Sequence, residues 1–120
     1  MAVKMIVTTS DNVEGIPIAE YLGVVRGVSV RIPTLSQGFA ALGQALSGNR
    51  LAGIELYAEV CETARAEAYR IMVDEAKKLE ADAIVGVRYD SAPINIEEAL
   101  TEVLAYGTAV KLKLEVALPV

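Results

Sequence analysis

The amino-acid sequence predicts an α+β protein in which one long helix packs on a mainly antiparallel sheet. Apolar residues recur at steps of three and four from Ile54 to Leu79, which is typical of a helix of about seven turns. Extended segments precede and follow this stretch. Strands grouped around one dominant helix indicate a two-layer α+β unit, and 120 residues suit one domain spanning 1–120.

The composition indicates more apolar surface than one small domain needs. The chain is 53% hydrophobic but only 5% aromatic, and its mean hydropathy is +0.40. No apolar run reaches the roughly 18 residues of a membrane span, and the N-terminus does not resemble a signal peptide. Excess apolar surface without a membrane segment predicts subunit interfaces, so we expect an oligomer and no membrane partner.

Charge and residue usage exclude several classes of function. The formal net charge is −5 and the basic residues are scattered, which argues against nucleic-acid binding. A single cysteine without a secretion signal favours the reducing cytoplasm. The chain has no histidine, so it lacks the commonest general base and the commonest transition-metal ligand. We expect no cofactor and no self-sufficient catalytic centre.

Two extended segments open the chain. Lys4–Thr8 has the composition of a strand, and a polar turn and a proline-containing break follow it. Ile18–Ile32 is extended again, but Arg26 interrupts its apolar alternation. We therefore expect a bent strand with a β-bulge, or a close backbone approach, near Gly23 or Gly27.

Two helices are predicted next. Ser36–Leu46 has apolar residues at helical spacing and a capping serine, which predicts a short helix. The long helix carries one apolar stripe, and Cys61 lies on it, so we expect a buried structural cysteine. The stripe consists of Ile54, Tyr57, Ala58, Cys61, Ala64, Ala68, Ile71, Met72, Ala76 and Leu79.

The C-terminal third is predicted to form two strands. Residues 83–89 are apolar and short, whereas Ser91–Glu98 reads as a loop that contains Pro93. Val103–Leu118 shows strict alternation, which predicts a strand with two distinct faces. One face carries Leu104, Tyr106, Thr108, Val110, Leu112, Leu114 and Val116, and the other carries Lys111, Lys113 and Glu115.

Four polar residues are candidates for a binding site. Arg88 and Asp90 share one face of their strand, which favours either an ion pair that fixes the strand register or a polar site at a subunit junction. Glu20 and Tyr21 lie at the start of another strand and could line the same junction. No catalytic residues are assigned, because no nucleophile–histidine pair can form.

An ordered set of short segments resembles the YbjQ-like family, also called UPF0145 or DUF74. Its members are small bacterial and archaeal proteins without an established function. The resemblance extends from about Met5 to Leu112. It rests on Val7-Thr8-Thr9, Glu14-Gly15, Glu20-Tyr21-Leu22-Gly23-Val24-Val25, the run from Ala81 to Asp90, and Tyr106-Gly107-Thr108-Ala109-Val110.

The resemblance implies a β-α-β-β core like that of a dodecin subunit, assembled as a homopentameric ring. It also brings a heavy-metal-binding label, for which this chain could offer only Cys61 copies meeting across subunits, or carboxylates. We therefore expect an oligomeric protein that binds a small molecule or serves as a scaffold. Metal binding and an enzyme with an intersubunit Glu/Arg/Tyr site are the alternatives.

Overall fold

A computed structural model shows one helix packed on one face of a four-stranded sheet. It describes residues 4–31, 48, 50–95 and 100–113, of which 50–57, 93–95 and 100 are described by backbone alone. The predicted helix Ser36–Leu46 therefore lies outside the described residues. No described helix is long and apolar enough to cross a membrane. The elements are β1 (Ile6–Val7), β2 (Ile18–Arg31), α1 (Arg50–Lys78), β3 (Ala83–Asn95) and β4 (Leu100–Leu112).

The sheet is mixed but mainly antiparallel, in the strand order β1-β3-β4-β2. β4 pairs antiparallel with β2 and β3, whereas β1 pairs parallel with the start of β3. β1 is shorter than predicted, with Ile6 and Val7 alone in the ladder. The α+β class and the predominance of antiparallel pairing are confirmed.

The main core lies between α1 and the sheet. α1 buries residues at strict four-residue spacing, which places them in one row along the helix. This differs from the predicted stripe, because Ala58 and Leu79 are exposed and Cys61 is only half-buried. The buried row consists of Val60, Ala64, Ala68, Met72 and Ala76.

Glycines set the shape of β2, as the sequence predicted. Gly23 has a φ of 123°, and the β2–β4 register shifts between Tyr21 and Gly23, so a bulge lies there. Gly27 lies directly beneath the helix. A Cβ at Gly27 would collide with the carbonyl oxygen of Ala68 and approach the Met72 nitrogen to 2.7 Å. The helix and strand backbones can therefore meet only because position 27 has no side chain.

β3 is longer than predicted and replaces part of the expected loop. The strand continues through Pro93, which lies opposite Thr101, and ends at Asn95. Proline is confined to edge positions in sheets because it lacks a backbone donor. Among the described strands, this part of β3 has β4 as its only neighbour, so Pro93 occupies such an edge.

The N-terminal segment, residues 4–17, includes the edge strand β1, and its residues Ile6, Val13 and Ile16 cover one end of the sheet on the face away from α1. A turn at Glu14-Gly15 closes a bridge between Val13 and Ile16, as expected for a break at this point. Nearby, the Asp82 carboxylate accepts the backbone N–H of Leu112 at 2.8 Å and joins the ends of β3 and β4. A second apolar cluster lies at this end of the sheet. It contains Ala83, Val85, Val110 and Leu112, with Ile6, Val13, Ile16 and Ile18 packed against it.

Candidate functional site

Among the described residues, nothing covers the side of the sheet away from α1 except the N-terminal segment at one end, and we call the uncovered part the open face. Residues directly opposite each other in antiparallel strands share a face, so the register assigns each side chain to one side. The even-numbered residues of β4 share one face, as predicted, and it is the face away from α1. The open face includes Val24, Arg26, Val28 and Val30 of β2, Glu102, Leu104, Tyr106 and Thr108 of β4, and Arg88, Asp90 and Ala92 of β3.

Several apolar side chains of the open face are exposed. On β2, Val24 is 74% exposed and Val30 is 51% exposed. The opposite side, beneath α1, buries Val25 and Val103 together with the small residues Ala105 and Ala109. The exposed valines form an apolar surface that a partner could cover.

Charged side chains cross the open face in neighbouring rows. Arg26 and Arg88 lie on either side of Tyr106, with Cβ atoms about 5 Å apart in each pair by the geometry of such ladders. The next row runs from Val28 through Leu104 to Asp90. Positive and negative side chains therefore both lie beside the apolar residues of the open face.

Arg88 has a structural contact that the sequence did not indicate. Its Nη1 donates to the carbonyl oxygen of Thr9 at 2.9 Å and to that of Val87 at 2.8 Å, so it ties the N-terminal segment to β3. Of the ion pairs among described residues, none joins Arg88 to Asp90. The alternative in which Arg88 and Asp90 form an ion pair is therefore wrong, and the Asp90 side chain is exposed.

The other two predicted site residues lie elsewhere on the sheet. Glu20 and Tyr21 are exposed at the start of β2, where Tyr21 pairs with Val110. Arg88 pairs with Tyr106, which is four residues from Val110 along β4, or roughly 13 Å in an extended strand. One subunit does not bring the four residues together, so a site that contains all of them remains a prediction about subunit junctions.

Shifted pKa values occur on the helix side of the molecule. Burial raises the pKa of the Tyr89 hydroxyl, and the nearby Tyr69 raises it further. A hydrogen bond from Arg70 lowers the pKa of the exposed Glu67 carboxyl, and the same contact raises the pKa of Arg70. These groups form helix-surface contacts, and none of them belongs to the open face.

The described residues do not fit a soft-metal site within one subunit. No group of three or more His, Cys, Asp or Glu side chains in this part of the chain is placed to hold an ion. Cys61 is a free thiol, half-buried on α1. Soft metals favour thiolate and imidazole ligands, and the chain has one cysteine and no histidine.

A small cavity beside the N-terminal segment was missed by the sequence analysis. It has a volume of about 340 Å³. The sequence signal that could have indicated this cavity was the two-residue spacing of Ile6, Thr8, Ser10 and Asn12. The polar residues of this segment were instead interpreted as a turn. The lining residues are Ile6, Thr8, Ser10, Asn12, Val13 and Glu14.

Comparison with known proteins assigns the family. The profile of the YbjQ family, described as "Putative heavy-metal-binding", matches residues 5–113. The chain belongs to this family. A UPF0145 protein of Legionella pneumophila is 44% identical over 106 residues, covering 88% of this chain and 96% of the relative. A UPF0145 protein of Burkholderia mallei is 43% identical over 111 residues, covering 92% and 96%.

A solved structure supports the YbjQ-like fold. A protein of unknown function of the DUF74 family from Pediococcus pentosaceus superposes with a TM-score of 0.56 at 19% identity. The match covers 91% of this chain and 98% of the other. The resemblance read from the sequence is thus confirmed for the family, and these relatives are named as uncharacterised proteins.

Proposed function

We propose that this YbjQ-like protein is the subunit of a cytoplasmic homopentameric ring that binds a small molecule at its subunit junctions or serves as a scaffold. The observation that carries the proposal is the apolar open face. Val24, Val28 and Val30 are each more than 40% exposed on a strand whose other face is buried beneath α1. A second copy of the chain would remove this surface from water.

The polar surroundings of the open face support association between copies rather than with a strongly charged partner. Arg26, Arg88 and Asp90 lie on the same face, so two neighbouring copies can place opposite charges together. An apolar centre bordered by polar residues is the usual arrangement of a protein interface.

The same assembly offers a place for a ligand. Glu20 and Tyr21 are exposed at one end of β2, and Arg88 and Asp90 are exposed on β3. In the proposed ring, the first pair on one subunit faces the second pair on its neighbour. A junction of this kind supplies an acidic acceptor, a phenol and a guanidinium, which can bind a small polar molecule.

A charged residue in the open face is expected to separate the subunits. We expect Val28→Lys to yield monomers, because the introduced ammonium would be buried without a partner in the interface. The matched control is Leu79→Lys, since Leu79 and Val28 are both 43% exposed but Leu79 lies just beyond the end of α1. Light scattering on each purified variant gives the molar mass.

The proposed interface makes opposite predictions for the two variants. Leu79→Lys should form an assembly of the same molar mass as the wild-type protein, because a cation is favourable at a helix C-terminus. If Val28→Lys also keeps that mass, the open face is not the interface. If both variants dissociate, the effect does not depend on the open face.

The ligand part of the proposal has its own variant. Asp90 is exposed and has no ion pair among the described residues, so Asp90→Asn should fold normally, and the adduct is compared on the assembled species of each protein. We expect native mass spectrometry of freshly purified protein to show a small-molecule adduct that Asp90→Asn lacks. Asp74→Asn, which alters a carboxylate paired with Arg70 at 3.0 Å on α1, should retain the adduct. An adduct that survives Asp90→Asn, or a bare wild-type protein, would contradict binding at this junction.

A further inference from the structure

The cavity beside the N-terminal segment is a second place where this protein can bind a ligand. Its volume of about 340 Å³ falls at the lower end of the range typical of small-molecule pockets, and it is open to solvent on the side of the exposed residues Ser10, Asn12 and Glu14. The six described lining residues all lie between Ile6 and Glu14. This lining therefore requires no residue from a second subunit.

Hydrogen bonds to β3 fix the backbone that forms the cavity. The carbonyl oxygen of Thr8 accepts the N–H of Val87 at 3.0 Å, and that of Ser10 accepts the N–H of Gly86 at 2.8 Å. The guanidinium of Arg88 adds its bond to the Thr9 carbonyl oxygen. A pocket whose walls are held in place before binding loses little conformational entropy when a ligand enters.

The lining combines unengaged polar groups with an apolar wall. The hydroxyl of Thr8 accepts the backbone N–H of Ser10 at 3.1 Å and can still donate. In the described part of the chain, the side chains of Ser10, Asn12 and Glu14 form no hydrogen bond or ion pair. Ile6 and Val13 supply the apolar wall and pack against the second apolar cluster.

The charge of the lining selects the class of ligand. Among the lining side chains that the structure describes, Glu14 is the only ionisable one. The nearby cation Arg88 donates to two backbone carbonyl oxygens, and its side chain is not part of the lining. A carboxylate that shares a lining with hydroxyl and amide groups favours an ammonium group, because a charge-assisted hydrogen bond is stronger than a neutral one.

We infer that this cavity binds a small organic ammonium compound with a short apolar tail. The ammonium group is held by Glu14 and the neighbouring hydroxyls, and the tail lies against Ile6 and Val13. The inference goes beyond the proposed function, because the site is complete within one subunit.

Titration with three compounds of equal length tests the inference by nuclear magnetic resonance. n-Butylammonium should produce saturable shifts of the backbone amide signals of Thr8, Ser10 and Asn12. n-Butanol and n-butyrate should bind at least about ten-fold more weakly, because neither offers a cation to the carboxylate. Equal binding of n-butyrate, or the absence of saturable shifts at these amides, would overturn the inference.

Variants separate this site from the subunit interface. Glu14→Gln should weaken n-butylammonium binding by about ten-fold or more, since it removes the charge and keeps the shape. Glu75→Gln, which alters a carboxylate near Lys78 on α1, should leave it unchanged. Val28→Lys should also bind n-butylammonium normally, whether or not it is monomeric. Unchanged affinity in Glu14→Gln, or loss of binding in Val28→Lys, would contradict a site complete within one chain.

Discussion

Replacing Gly27 with alanine is expected to lower the free energy of unfolding by about 3 kcal/mol or more, at the upper end of the usual cost of overpacking. The added Cβ would collide with the carbonyl oxygen of Ala68 and approach the Met72 nitrogen to 2.7 Å. These atoms belong to the backbone of α1, so no side-chain rotation can relieve the contact. Urea denaturation followed by circular dichroism measures the loss.

Ser29→Ala is the matched control for this effect. Ser29 is buried on the same face of β2, two residues from Gly27, and the change also leaves an alanine beneath the helix. We expect Ser29→Ala to change the free energy of unfolding by less than about 1 kcal/mol. Equal stability of Gly27→Ala and the wild-type protein would mean that α1 does not lie as close to β2 as described.

Replacing Met72 with alanine is expected to cost about 3 kcal/mol and to lower the melting temperature by roughly 10 °C. Met72 is among the largest fully buried side chains and lies between Ala68 and Ala76 in the buried row of α1. Its row neighbours, Ala68 and Ala76, are too small to close the cavity that truncation would leave. Differential scanning calorimetry measures the change.

A volume-conserving change at Met72 separates the cost of the empty space left by truncation from other effects of the substitution. Met72→Leu keeps most of the side-chain volume, so we expect a loss below about 1.5 kcal/mol. A loss in Met72→Ala that is no larger than the loss in Met72→Leu would show that position 72 is not tightly packed.

The sequence predicted the main elements because their periodicities are strong, but it misplaced the centre of the helix contact. The predicted stripe included Ala58 and Leu79, whereas the structure buries Val60 and leaves both of them exposed. The buried row of α1 runs at intervals of four residues, from Val60 to Ala76. Periodicity alone does not reveal the direction of the surface on which a helix packs.

The sequence also could not show which side of the sheet the helix covers. Leu104 and Tyr106 share a face, as the alternation predicted, but α1 lies on the opposite face against Ala105 and Ala109. Small residues permit a close helix contact, and such contacts depend on tertiary packing rather than on local pattern. Only the strand register shows that Leu104 and Tyr106 belong to the open face.

The candidate site was only partly predictable. Arg88 and Asp90 do share a face, because alternation fixes that relation within one strand. The contact from Arg88 to the Thr9 carbonyl oxygen depends on the parallel pairing of distant segments, which no local pattern encodes. The cavity beside Thr8 and Ser10 was missed for the same reason.

Association through the open face is the central claim, and native mass spectrometry of the tag-free wild-type protein tests it most directly. We expect a single species with the mass of five 12.8 kDa chains. Elemental analysis of the same sample addresses the family's heavy-metal description, since a metal at integral stoichiometry would indicate a site shared between subunits. A monomeric mass would contradict the account, because the apolar open face would then be exposed to water in the functional protein.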